Sequence, residues 1–128
     1  MAGGTLDRGA VLVDPNVKFV TIMYTSTTVG DQATPILAAV TGKKIRIFAL
    51  AVCISIGGTN CYIRNSSSGT QITERFDRTI SGAQYAAYYN RIAFPGIFLY
   101  ESDVSRGLVL NCVTASATVS VTLVYSYV

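Results

Sequence analysis

KIRIFALAVCISI, residues 44–56, is the longest apolar run in the chain, preceded by Thr41-Gly42-Lys43 and followed by Gly57-Gly58. It is too short to span a membrane and carries Arg46 near its start, so a buried strand fits it better than a transmembrane helix. On strand geometry one parity holds Arg46, Phe48, Leu50, Val52, Ile54 and Ile56, and the other holds Ile45, Ile47, Ala49, Ala51, Cys53 and Ser55. One face is bulky and the other small. That asymmetry predicts a strand whose large side lies in a sandwich core and whose small side lies under a second layer, from this chain or from a neighbouring subunit.

Outward from this run the chain reads as a series of short strands. Residues 18–25 (KFVTIMYT) alternate Phe19, Thr21, Met23 and Thr25 with Val20, Ile22 and Tyr24. Residues 36–40, after Pro35, form a short strand leading through Thr41-Gly42 into the apolar run. Gly57-Gly58 predicts a two-residue hairpin, with residues 60–65 (NCYIRN) returning beside the run. That register sets Cys53 opposite Tyr62 and Cys61 opposite Ile54, with the two thiols on opposite faces. Residues 66–69 (SSSG) are a turn, and residues 70–82 a charged excursion. In residues 83–93 (AQYAAYYNRIA) the alanines favour helix, while the tyrosines and the surrounding strands favour strand, and we assign strand. Phe94-Pro95-Gly96 is a break. Residues 97–100, 108–115 and 118–128 complete the set; in the last, Val119, Val121, Leu123, Tyr125 and Tyr127 face one way and Thr118, Ser120, Thr122 and Ser126 the other. About seven or eight strands at hairpin spacing, with no capped helix, predict an all-β, antiparallel β-sandwich or jelly-roll-like domain over residues 18–128.

Composition bounds what such a domain can do. The chain has 128 residues, enough for one domain with a real core. Half of its residues are apolar and only 13% are charged, against about 25% in ordinary globular chains. So much uncharged surface calls for a cover, and self-association is the simplest one. The formal charge of +3 comes from basic residues scattered singly, which is no footprint for nucleic acid. Histidine is absent, which removes imidazole acid–base chemistry and His-containing zinc sites. Neighbouring charges at Glu74, Arg75, Asp77 and Arg78, and at Glu101, Asp103 and Arg106, read as ion pairs and not as a glycosidase carboxylate pair. Neither Lys43 nor Lys44 lies in an S-x-x-K context, and Gly57-Gly58 has no GK[ST] after it. No enzyme, cofactor or metal site is therefore expected. Cys53, Cys61 and Cys112 are an odd count without a C-x-x-C pair, and are expected as buried, reduced thiols. Residues 1–5 lack the basic and apolar regions of a secretory leader, so none is expected.

Two groups of residues are candidates for contact with partners. Tyr85, Tyr88 and Tyr89 crowd one short segment, and tyrosine suits sites where the ring is dry and the phenol wet. A subunit interface is the preferred reading, ahead of an ordinary core edge; carbohydrate stacking comes last because there is no Trp. Residues 1–17 are Gly-containing, sparsely apolar and carry the turn signal Asp14-Pro15-Asn16, which predicts an extended arm. A frayed terminus is the common fate of such a segment. Val11, Leu12 and Val13 form a small apolar cluster that favours docking of the arm on a partner.

Several stretches resemble a group of small virion proteins of tailed bacteriophages. They are residues 36–47 (ILAAVTGKKIRI), Asn60-Cys61-Tyr62-Ile63 before Ser68-Gly69-Thr70, residues 94–98 (FPGIF) and residues 115–125 (ASATVSVTLVY). The group's own versions are a LAAVTGKKIRV strand, an SGGT turn, an NPxGWF-like loop and an SxATxVSGTLVY final strand. The resemblance runs from Ile36 onward, with Ile97 where the group usually has Trp. It implies a jelly roll, commonly trimeric, serving as a capsid decoration (cement) protein or as a head or tail appendage. The implied partners are further copies of the chain and the major capsid protein of the head, with assembly in the host bacterial cytoplasm and residence on the capsid surface. A receptor- or glycan-binding module of a tail or head fibre is the alternative, which the absence of any stalk or repeat makes secondary.

Overall fold

A computed structural model describes residues 17–56, 59–66, 69–78, 84–89 and 98–128. Among them are nine strands and no helix: β1 (Lys18–Tyr24), β2 (Gly30–Asp31), β3 (Ile45–Ile56), β4 (Thr59–Asn65), β5 (Phe76–Arg78), β6 (Gln84–Tyr89), β7 (Tyr100–Glu101), β8 (Leu108–Cys112) and β9 (Thr118–Tyr127). They make two antiparallel sheets. The first has the order β1-β9-β3-β6, with β7 also pairing with β3, and the second has the order β2-β8-β4-β5. This alternation of the chain between two facing sheets is the order of a jelly roll, as the sequence predicts.

The core lies between the sheets. Ile45, Ile47, Leu50, Val52 and Ile54 of β3 and Val119, Val121 and Leu123 of β9 meet Cys61 and Ile63 of β4 and Leu108, Leu110 and Cys112 of β8. β9 follows its sequence alternation, with Val119, Val121, Leu123 and Tyr125 buried. The alternation of β3 is broken. Its pairing with β9 runs Ile47↔Tyr125 and then Ala49↔Val124, so Phe48 is an extra residue at a β-bulge. Such an insertion exchanges the two faces of a strand. Leu50, Val52 and Ile54 therefore face the core as predicted, but ahead of the bulge it is Ile45 and Ile47 that do so. Arg46, on the bulky parity in the sequence, leaves the core and bonds Glu101.

The expected pairing of residues 60–65 beside the apolar run is not formed. β3 belongs to the first sheet and β4 to the second. Both strands carry an apolar face, and packing those faces against each other buries more than laying the strands side by side. Cys53 accordingly pairs with Ser120 and Tyr85, and Cys61 with Cys112. Residues 36–40 make no strand: they contribute a single bridge, Leu37↔Leu108. The backbone of Leu37 to Ala39 passes so close to Gly107 that a Cβ there would collide with Leu37 O, which requires glycine. Val40 to Lys43 close a turn through Lys43 N–H to Val40 O at 3.0 Å, with Gly42 at φ 77°. That geometry is a type II turn, which places glycine third.

Residues 83–93 were assigned to strand, and β6 lies within them. Residues 1–16, including Val11, Leu12 and Val13, fall outside the described residues, as does Phe94-Pro95-Gly96.

Candidate assembly interface

The two outer faces of the sandwich differ in chemistry. On the second sheet Asn60, Tyr62 and Arg64 of β4 point away from the core. The Arg75 guanidinium lies 4.7 Å from the Tyr62 ring centroid, and its Nη1 donates to Asn60 Oδ1 at 3.2 Å. Asn111 Nδ2 donates to Asp31 Oδ1 at 2.8 Å. Arg64 Nε stands 3.1 Å from the same oxygen, near enough for ion-pair attraction but not aligned for a hydrogen bond. This face is polar and internally paired.

The first sheet shows the opposite. Cross-strand register builds rows on its outer side: Phe19, Val124 and Ala49; Thr21, Thr122 and Ala51; Met23, Ser120 and Cys53. None of these three rows contains a charge, which begins only at the next row, where Arg46 stands between Ser126 and Glu101. Phe19 is 68% and Met23 61% exposed, although both are large and apolar. Phe19, Ala49, Leu50, Ala51, Thr122 and Val124 line a shallow depression of about 160 Å³. The Thr21 and Thr122 hydroxyls bond each other at 3.1 Å, so even the polar atoms of the middle row are partly satisfied within the face. Small residues on β3 make the depression, and a long apolar side chain on the edge strand β1 flanks it. Sequence reading found the small face of β3 but did not identify Phe19 and Met23. Their shared parity in residues 18–25 was visible; what decides their exposure is that β1 turns Val20, Ile22 and Tyr24 inward.

β6, which carries the candidate tyrosines, pairs with β3 at one edge of this sheet. Backbone register sets Tyr89 opposite Ala49 and Tyr85 opposite Cys53, continuing the outer rows, while Tyr88 stands opposite Leu50 on the core parity. The three are thus divided by strand geometry, and Tyr85 and Tyr89 are the pair aligned with the small face.

Charge collects at one end of β3. Arg46 Nε donates to Glu101 Oε2 at 2.7 Å and Lys44 Nζ to Oε1 at 3.3 Å, and the Arg46 guanidinium lies 4.7 Å from the Phe98 ring centroid. The Arg46 hydrogen bond, above all, holds the Glu101 carboxyl below the usual carboxylate range against the opposing effect of burial, with lesser help from Lys44. The sequence grouping of Glu101, Asp103 and Arg106 is not what forms: Asp103 accepts from Asn65 Nδ2 at 2.9 Å, and Arg106 Nη1 donates to Ser66 O at 3.3 Å. These carboxylates are tied separately to β3 and to the end of β4, and none faces another across a cleft.

A second depression, about 240 Å³, lies at one end of the sandwich among Tyr24, Thr25, Ser26, Thr28, Gln32, Ala33 and Thr34. Its aromatic ring is not offered as a platform. Tyr24 is 8% exposed and its phenol donates to Thr34 O at 2.8 Å. Burial, with the neighbouring Cys112, pushes that phenol up to about 12. Gln32 is consumed within its own loop, Nε2 donating to Thr28 O at 2.7 Å while Oε1 accepts from Thr28 N.

No protein-family model matches the chain, and no curated protein matches it. Among solved structures, the cryo-EM structure of the giant freshwater prawn Macrobrachium rosenbergii extra small virus (XSV) VLP is similar over 90% of this chain and 80% of that chain, with 7% sequence identity and a TM-score of 0.39.

Proposed function

We propose that this chain is a non-enzymatic structural subunit of a tailed-phage virion, a decoration or cement protein that associates with its own kind and stabilises the assembled head. The observation that carries the reading is the set of three uncharged rows on the outer face of the first sheet, flanked by the exposed Phe19 and Met23. Exposed apolar area of this kind marks an association surface, and the polar, self-paired opposite face supplies the solvent side. The jelly-roll topology agrees with the fold implied by the resemblance of residues 36–47 and 115–125 to small phage virion proteins. In this reading the subunits form a homo-oligomer, a trimer by the same resemblance. The major capsid protein is the second partner and the capsid surface the location.

The test is association of the purified protein and of a Phe19→Ser, Met23→Ser double variant, followed by light scattering at micromolar concentration. The wild type is expected to be an oligomer. The variant should dissociate at least tenfold more readily, since a well-packed anchor contributes on the order of 2 kcal/mol. A wild-type monomer that stays soluble would refute the reading. Electron microscopy of particles then distinguishes head from fibre: density on fibre tips and none on heads would favour the receptor-binding alternative.

A further inference from the structure

Cys61 and Cys112 stand directly opposite one another on the antiparallel strands β4 and β8. Val113 N–H donates to Asn60 O at 3.1 Å, which makes Cys61 and Cys112 a pair without backbone hydrogen bonds between them. At such positions opposed Cα atoms lie about 4.5 Å apart and the side chains are closest, within the Cα separation a disulfide spans. The two thiols share the core side of the sheet. Cys53 is on the other sheet and is not part of the pair.

We propose that Cys61 and Cys112 are a latent cross-strand disulfide, a modification site that closes when the folded subunit meets a small-molecule disulfide of the glutathione class. The route in is beside Cys112. Its other neighbour is Gly30, with no side chain, in the two-residue strand β2, and an edge strand that short opens locally at little cost. The Cys112 thiolate attacks one sulfur of the small disulfide, forming a mixed disulfide and expelling the first small thiolate. Cys61, deprotonated, then attacks the Cys112 sulfur and expels the second. Two protein thiols are oxidised, one small disulfide is reduced to two thiols, and the two protons leave with them. The order of attack follows from access, since Cys112 adjoins Gly30 whereas Cys61 adjoins the bulky Phe76 of β5. Burial works against either thiolate, so the attack waits on the local opening beside Gly30.

Closure would tie the centre of the second sheet across the long loop between β4 and β8. The test treats the native chain, and in a second arm the chain refolding from urea, with graded ratios of oxidised to reduced glutathione. Denaturing alkylation and peptide mapping follow. In at least one arm Cys61 and Cys112 should be recovered as one intrachain bridge with Cys53 alkylated, and Cys53→Ser should behave alike. The melting temperature should rise by roughly 10 °C, reversibly with a reducing agent. Recovery of both as free thiols in both arms, or a bridge through Cys53 or between chains, overturns the proposal.

Discussion

Truncating Leu50 to alanine tests the geometry on which the interface depends. Leu50 is 1% exposed, and opposite it on β9 stands Leu123, itself fully buried. Removing three carbons from water-free surroundings forfeits about 2.4 kcal/mol at 0.8 kcal/mol per methylene. Strands on both flanks keep the site from collapsing, and the cavity left behind brings the expected loss to roughly 3–5 kcal/mol. Ile47→Ala should cost about the same, roughly 2–5 kcal/mol, because the bulge at Phe48 returns Ile47 to the core side. Ala51→Ser, on the outer face beside Thr122, should change folding by no more than about 0.5 kcal/mol while weakening association. Urea unfolding of all three at one fixed protein concentration, with unchanged m-values, reads these differences directly. A small effect of Ile47→Ala beside a large effect of Leu50→Ala would mean that the faces do not exchange at Phe48. Equal small effects from Leu50→Ala and Ala51→Ser would refute the assignment of core and outer sides.

Glu101 supplies a pH-dependent contribution. Its folded carboxyl titrates below the unfolded value of about 4.3, so its ion pairs stabilise the fold above that pH and are lost as pH falls through the depressed folded value. Glu101→Gln should therefore lower stability at pH 7 and converge with the wild type in acid, in urea titrations across that range; a constant gap down to the lowest pH would rule the linkage out. Tyr85→Ser with Tyr89→Ser should weaken association, whereas Tyr88→Ser should act on folding, as read by sedimentation and by thermal melting. Association unchanged by the double substitution would return these tyrosines to an ordinary core edge. Deleting residues 1–13 should leave the β-fold intact and lower capsid occupancy or the temperature at which particles fall apart; a truncated protein that protects heads equally well would make the arm a frayed terminus.

What could be read in the sequence is what depends on local alternation. β9 and the Leu50–Val52–Ile54 side of β3 follow from period two alone, whereas strand at β6 follows from its tyrosines and its all-β surroundings. The bulge was not legible, because Phe48 is apolar and its insertion leaves an unbroken hydrophobic run across the exchange of faces. Nor was the placement of β3 and β4 in different sheets. A hairpin and a crossing between sheets need the same turn residues and the same apolar strands, and only partners far away in the chain distinguish them. The Cys61–Cys112 pairing was hidden for that reason: it joins strands separated by β5, β6 and β7. Phe19 and Met23 share a parity in residues 18–25, but nothing local says which parity of an edge strand meets the core.

The strand order also sets when this molecule can fold. β9 lies between β1 and β3, so the first sheet has no continuous middle until the last of the described strands has left the ribosome. β1 waits for a partner more than ninety positions downstream, as in Lys18↔Tyr125, and β4 waits for β8. Loops of that size must close before either sheet rewards them, which puts folding among the slow, millisecond-to-second topologies. Until then the nascent chain carries β3, its longest apolar strand, without its β9 neighbour. Such an intermediate is exposed to aggregation at high synthesis rates. A ribosome-stalled chain lacking β9 should therefore be cleaved by protease at sites that the released chain protects.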